Sequence, residues 1–232
     1  QTGFKNGGLP HIVPTVDPNA LLTPRPFTME LHRISGITID GKLDDWPAEP
    51  TFVLNDASQI AHTVAPDSWK GPQDLSAEVW QGWSEEGLYF ALRVVDDAHY
   101  QTVADSDLWH GDYAEWQFDT QLEKDYNNPG MNNDDYQIGV SVGDYANVPP
   151  VAYAWFNGPD ASNVIAIQQA QVQTADGYIL EVFFPKELLK ELTLEEGAVF
   201  GMNVSLSDTD SAATQQLFFL ATAATGIYTD PR

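Results

Sequence analysis

The 232-residue chain is 43% hydrophobic, enough apolar material for a large packed domain rather than a disordered segment. Its 34 Asp and Glu against 10 Lys and Arg leave a net charge of −24, which excludes nucleic acid and anionic membrane surfaces as partners, since both need basic side chains. Cysteine is absent, which excludes disulfides, thiolate metal sites and cysteine nucleophiles, and no apolar run reaches the ~20 residues that membrane insertion as a helix requires.

Residues 1–34 hold Pro10, Pro14, Pro18, Pro24 and Pro26, which oppose both helix and central strand. They read as an extended N-terminal arm, with one β domain over 35–232. ISGITIDGKLDDW (34–46) predicts a short strand and a turn at Asp40-Gly41, and residues 52–54 a second strand. LSAEVWQGW (75–83) alternates strictly. In LYFALRVVDD (88–97), Leu88, Phe90, Leu92 and Val94 form one face, and the opposite face (Tyr89, Ala91, Arg93, Val95) is not polar, so this strand is expected to be central and buried on both sides.

ADSDLWHGDYAEWQFD (104–119) has two halves. Ala114, Trp116 and Phe118 alternate with Glu115, Gln117 and Asp119 as a strand, whereas Trp109 sits in a polar turn with acids on both sides. YQIGVSVG (136–143), PVAYAWF (150–156), GYILEVFFP (177–185), AVFGMNVSLSD (198–208) and QQLFFLAT (215–222) read as further strands, and 163–173 alternates weakly. PKELLKEL (185–192) is the one predicted helix, with Pro185 at a first-turn position and Leu188, Leu189 and Leu192 on one face. Eight or more short strands with one short helix near 185–192 predict an all-β fold, an antiparallel β-sandwich or jelly roll.

Trp109 has two readings: a surface ring for a ligand, or a ring folded back to close the core edge. Trp46, Trp80, Trp83 and Trp116 lie on or beside strand patterns and read as structural, while Trp69 and Trp155 stay open. Asp96-Asp97, Asp105-x-Asp107, Asn132–Asp135 and Asp208-x-Asp210 offer hard oxygen ligands, but none matches a twelve-residue EF-hand loop. The five histidines show no zinc-site spacing, and neither a nucleophile elbow nor a Gly-rich phosphate loop is present. A glycosidase pair can always be picked from 34 acids, so the count supports no catalysis.

Seven segments in order resemble the family 9 carbohydrate-binding modules of the wider DOMON-like sandwiches. They are IDGKLDDW (39–46), SAEVWQGWSEEGLYFALRVVDD (76–97), LWHGDYAEWQFD (108–119), NNDDYQIGV (132–140), GYILEVFFPKELL (177–189), GMNVSLSDTD (201–210) and YTDPR (228–232). The resemblance implies non-catalytic binding of a poly- or oligosaccharide, with a sugar held between two aromatic walls, Trp109 and Tyr228. It places Glu115 as a carboxylate on the sugar's rim. His110, beside Trp109, and Gln137 are further candidate contacts, with a plain surface-loop role as the other reading of His110. Aromatic rings suit a sugar's apolar C–H face, and carboxylates and amides suit its hydroxyl rim. The chain departs from the family where an Arg can stand, now Gly139, and where an amide precedes the second aromatic, now Thr225 or Gly226.

Because such modules often hold structural calcium, the resemblance also implies calcium, with Asp97 and Asp208 the nearest ligands. It implies a secreted or cell-surface module beside neighbouring domains. The family continues past Asp230-Pro231 into a final apolar strand, so the sandwich is expected to lack that strand here. Two other readings stand beside this one. Some DOMON-like domains hold haem, for which Met202 or Met131 with His99 or His110 would be the axial pair. A structural subunit would instead use the arm and the open edge for self-association between copies.

Overall fold

The computed structural model describes residues 28–63, 68–126, 130–157, 163–211 and 218–221. Alternating sequence becomes strand in twelve places. In chain order these are β1 (His32–Arg33), β2 (Phe52–Leu54), β3 (Ile60–Thr63), β4 (Leu75–Ser84), β5 (Gly87–Asp96) and β6 (Tyr113–Asp119). Helix α1 (Leu122–Asp125) follows, then β7 (Asp135–Ser141), β8 (Val151–Asn157), β9 (Gln168–Gln173), β10 (Gly177–Pro185), β11 (Gly201–Asp208) and β12 (Phe218–Ala221). They form two six-stranded sheets. One runs β1-β4-β5-β10-β9 with β2 also on β4, and the other runs β3-β12-β11-β6-β7-β8. All pairings are antiparallel except β1 with β4.

The core lies between the two sheets and uses the faces that the alternation marks. Leu88, Phe90, Leu92 and Val94 of β5 meet Ala114, Trp116 and Phe118 of β6, and Phe184 closes edge-on against Phe90, Trp116 and Phe118. As expected, β5 is central, between β4 and β10. Its second face is also covered, because Ala91 is fully buried and packs with Trp46 and Trp80.

The cover is the segment IDGKLDDW. The backbone N–H groups of Asp40, Gly41 and Lys42 donate to one oxygen of Glu181 on β10, at 2.8, 2.5 and 3.2 Å. The Trp46 indole N–H donates to its other oxygen at 2.7 Å. Glu181 is fully buried, so these four donors replace the water that a carboxylate would otherwise need. Gly41 is obligatory here: its φ is +85°, and a Cβ would lie 2.7 Å from the Val172 side chain.

Residues 185–192 are not a helix. Pro185 ends β10, and two turns follow, closed by Leu188 N–H to Pro185 O and Leu192 N–H to Leu189 O. Leu188, Leu189 and Leu192 all bury in the core, as an apolar face should. The backbone groups go elsewhere, however. Lys190 N–H donates to the Tyr136 hydroxyl, Thr120 Oγ1 donates to Lys190 O, and the Gln121 amide donates to Glu191 O. Glu191 also has φ of 66°, which breaks a right-handed helix. The described α-helix is the four-residue α1 instead.

At the other end of the chain, β1 and Ile34 bond along the β4 edge, so residues 32–34 lie on the sheet.

Candidate functional site

The outward face of the second sheet carries the family-like residues. Since Ala114, Trp116 and Phe118 point into the core, Tyr113, Glu115, Gln117 and Asp119 take the opposite face. Glu115 sits between Gly139 on β7 and Ser205 on β11, and Gln117 between Gln137 and Asn203. Glu115 accepts hydrogen bonds from the Tyr113 hydroxyl at 3.1 Å, the Gln117 amide at 3.1 Å and the Gln137 amide at 3.2 Å. It is 1% exposed, so the expected rim carboxylate stands in the floor of this face. Burial pushes its acidity constant up to about 7, against the pull of those three donors. Gln117 Oε1 and Ser205 Oγ are buried there with no partner among the described residues.

Trp109 belongs to a 3-10 turn, Asp105–His110, that leads into β6. Leu108 anchors this turn by full burial, and the Gln101 amide donates to Leu108 O at 3.1 Å. Trp109 is partly buried and joins an aromatic cluster with Tyr113, Tyr153 and Trp155. The His110 ring lies against it, with centroids 3.6 Å apart and planes tilted by 33°, so one face of the indole is covered. Gly139 makes room for this cluster. A Cβ there would meet the Trp155 ring at 2.7 Å and the Tyr113 ring at 3.0 Å. Two aromatic rings thus fill the space over Gly139. The structure thereby brings Trp109, His110, Glu115 and Gln137 to one sheet face, while Tyr228 lies outside the described residues.

The other tryptophans are structural. The indoles of Trp69, Trp80 and Trp83 donate to Leu75 O, Pro47 O and Leu31 O, at 2.9, 2.9 and 3.2 Å. Trp116 is fully buried.

Asp112, which lies between Trp109 and Glu115 in LWHGDYAEWQFD, is not among the site residues expected from the sequence. One of its oxygens accepts from Thr209 N–H at 2.8 Å and the other from Tyr100 N–H. His99 Nδ1 lies 3.2 Å from both Asp112 and Asp96, and its Nε2 lies 2.7 Å from Gly143 O. Burial opposes charge on this ring, but the Asp112 and Asp96 hydrogen bonds outweigh it and push His99 up to about 10. Both ring nitrogens of His99 thus have polar partners within hydrogen-bond distance.

A second acidic cluster gathers Asp74, Asp208 and Asp210, whose oxygens converge within 4.8 Å. Asp208 is 1% exposed, and neither of its oxygens has a partner among the described residues. Burial and the surrounding acids push it up to about 9. Asp97 lies beside this cluster, its N–H donating to Asp74 O at 3.2 Å, but its exposed carboxylate is not among the three that converge.

Among the described residues no helix is long and apolar enough to cross a membrane. Comparison with curated proteins yields no match. Among solved structures, the chain is similar to a family 9 carbohydrate-binding module from Caldicellulosiruptor kristjanssonii in complex with cellotriose. The TM-score is 0.62 at 18% identity, over 88% of each chain. The module in complex with glucose matches with the same TM-score at 19% identity, over 88% of this chain and 91% of that one. The model of the family described as carbohydrate family 9 binding domain-like matches residues 39–232. The ordered segments, the two-sheet sandwich and this match agree, and the chain belongs to the family 9 carbohydrate-binding domains.

Proposed function

We propose that this carbohydrate-binding domain holds a neutral sugar ring on the free face of Trp109, with the sugar's hydroxyls directed to the Glu115–Gln117–Gln137 floor. One observation carries the reading: an aromatic cluster and a buried polar floor with unpartnered Gln117 and Ser205 oxygens share one sheet face. Stacking supplies area, and the polar floor supplies direction. The outward positions of β6, β7, β8 and β11 hold no Lys or Arg, and Gly139 stands where an Arg is an option in the family. A uronic or sulfated sugar would find no Lys or Arg on these strands and would meet the acids Glu115 and Asp119, so a neutral poly- or oligosaccharide fits best. Tyr228 is the proposed second wall.

The reading is non-catalytic, because both Glu115 oxygens are taken up by neutral donors rather than poised across a gap from a second carboxylate. It also places the domain outside the cell, as a module of a glycan-active or surface protein. Titration calorimetry with neutral oligosaccharides tests the binding. Trp109→Ala should lose it while the melting temperature stays within a few degrees, and unchanged affinity in that variant overturns the reading.

Calcium is the second proposal, since the buried, unpartnered Asp208 oxygens fit a hard cation shared with Asp74 and Asp210. A bound divalent ion would offset two of the three carboxylate charges and join the loop before β4 to the end of β11.

A further inference from the structure

The cluster Asp74–Asp208–Asp210 already has one cation at its mouth. Lys70 Nζ lies 3.3 Å from Asp74 Oδ1 and 3.4 Å from Asp210 Oδ2. The Lys70 backbone N–H donates to the other Asp74 oxygen at 2.7 Å. Exposure is graded across the site: the side chain of Lys70 is 65% exposed, that of Asp210 31% and that of Asp74 2%. Asp208 lies at the buried end, where both its oxygens lack partners among the described residues and the ammonium's hydrogen bonds go to Asp74 and Asp210. One positive charge therefore serves three carboxylates and reaches only the outer two.

An ammonium suits this task imperfectly. It is a flexible point charge with three donors, and it keeps its water on an exposed stem. A divalent ion entering the cluster would share the carboxylates of Asp74 and Asp210 with Lys70, whose contact to Asp210 leaves Oδ1 without a partner among the described residues, and it can also reach Asp208. The exposed stem lets the ammonium swing out without disturbing the core.

We propose that Lys70 is a tethered cation that competes with a divalent ion for Asp74 and Asp210, and so sets the calcium concentration at which the site fills. This rests on the reading of the three aspartates as a cation site. With calcium absent, Lys70 relieves the repulsion between Asp74 and Asp210 and keeps the loop before β4 in place. With calcium present, the ion displaces it and gains Asp208. Weak affinity is the consequence, of the kind that suits surroundings where calcium is plentiful.

The experiment is calorimetric titration of chelator-treated protein with calcium chloride, for the native chain, Lys70→Met, Lys70→Gln, Lys70→Arg and Asp208→Asn. Both neutral variants at 70 should bind calcium about tenfold more tightly, from loss of one positive charge a few ångströms from the ion. Lys70→Arg should stay within about threefold of the native chain, because it keeps the charge. Asp208→Asn should lose binding, which locates the ion. If the neutral variants bind calcium with native or weaker affinity while Asp208→Asn abolishes it, the competing role of Lys70 is overturned and the site stands. If neither the native chain nor the neutral variants bind at millimolar calcium, the cation site itself falls, and the role of Lys70 with it.

Discussion

Trp155 on β8 donates its indole N–H to the carbonyl of Ser106 at 3.0 Å, which ties the outermost strand of the second sheet to the turn that carries Trp109. The Trp155 ring also packs 5.5 Å from both Tyr113 and Tyr153. It therefore supports the turn of Trp109 in two ways, by this bond and by packing on Tyr113 in the cluster that Trp109 joins. Trp155→Phe keeps most of the packing and removes the hydrogen bond, worth about 1 kcal/mol. Sugar affinity should fall several-fold with little change in unfolding free energy. An affinity equal to the native value would show that the turn is held without this bond.

Gly139→Ala tests the same cluster from below. Its Cβ would press on Trp155 at 2.7 Å and Tyr113 at 3.0 Å, in a face already packed. Overpacking of this kind costs about 1–3 kcal/mol. Denaturant unfolding should show that loss, and sugar affinity should drop with it. An Ala variant as stable as the native chain would mean that the rings retreat freely.

Glu115 makes stability depend on pH with a definite sign. Its folded value is about 7, against an ordinary 4.5, so between these two values the folded chain binds more protons than the unfolded one. The contribution is full below about pH 4.5, falls as pH rises, and is gone above about pH 7. A shift of this size corresponds to about 3 kcal/mol. Glu115→Gln removes the titration, so its stability relative to the native chain should rise by about that amount between roughly pH 4 and pH 8. Parallel pH profiles for the two proteins would rule out this role for Glu115.

Glu181→Ala should be among the most damaging single changes outside the core. It leaves the N–H groups of Asp40, Gly41 and Lys42 and the Trp46 indole without their acceptor. Orphaned buried donors cost about 1–3 kcal/mol each, and some will find water as the segment opens, so a loss of 3 kcal/mol or more is expected. Quenching of tryptophan fluorescence should show Trp46 becoming accessible. A mild loss with Trp46 still protected would mean that apolar packing alone holds the segment.

Asp208→Asn should raise the melting temperature in chelator, because a buried carboxylate surrounded by acids and lacking partners is replaced by a neutral amide. Each kcal/mol gained corresponds to roughly 2–4 °C for a chain of this size. Added calcium should then bring no further rise, whereas the native chain should gain. Equal melting curves with and without calcium for both proteins would end the calcium proposal.

The sequence by itself determined the strands and their core faces. A two-residue period is local: Leu88, Phe90, Leu92 and Val94, or Ala114, Trp116 and Phe118, can be buried only on one side of a strand. It also determined the family, because seven short segments keep their order. The two turns at 185–192, which the leucine pattern predicts as a helix, were beyond its reach. Their three leucines are buried as the pattern requires, but their backbone finds partners in Thr120, Gln121 and Tyr136, and only the tertiary fold brings those residues near. Glu115 is a similar case. Its residue type marks a polar contact, while its burial under Tyr113, Gln117 and Gln137 depends on the neighbouring strand and on the space that Gly139 leaves for Trp155. Lys70 and Asp210 stand 140 positions apart, and no local period or propensity records that one ammonium will sit between Asp74 and Asp210. Burial and charge pairing are properties of the assembled sheets, so the tertiary structure decided them.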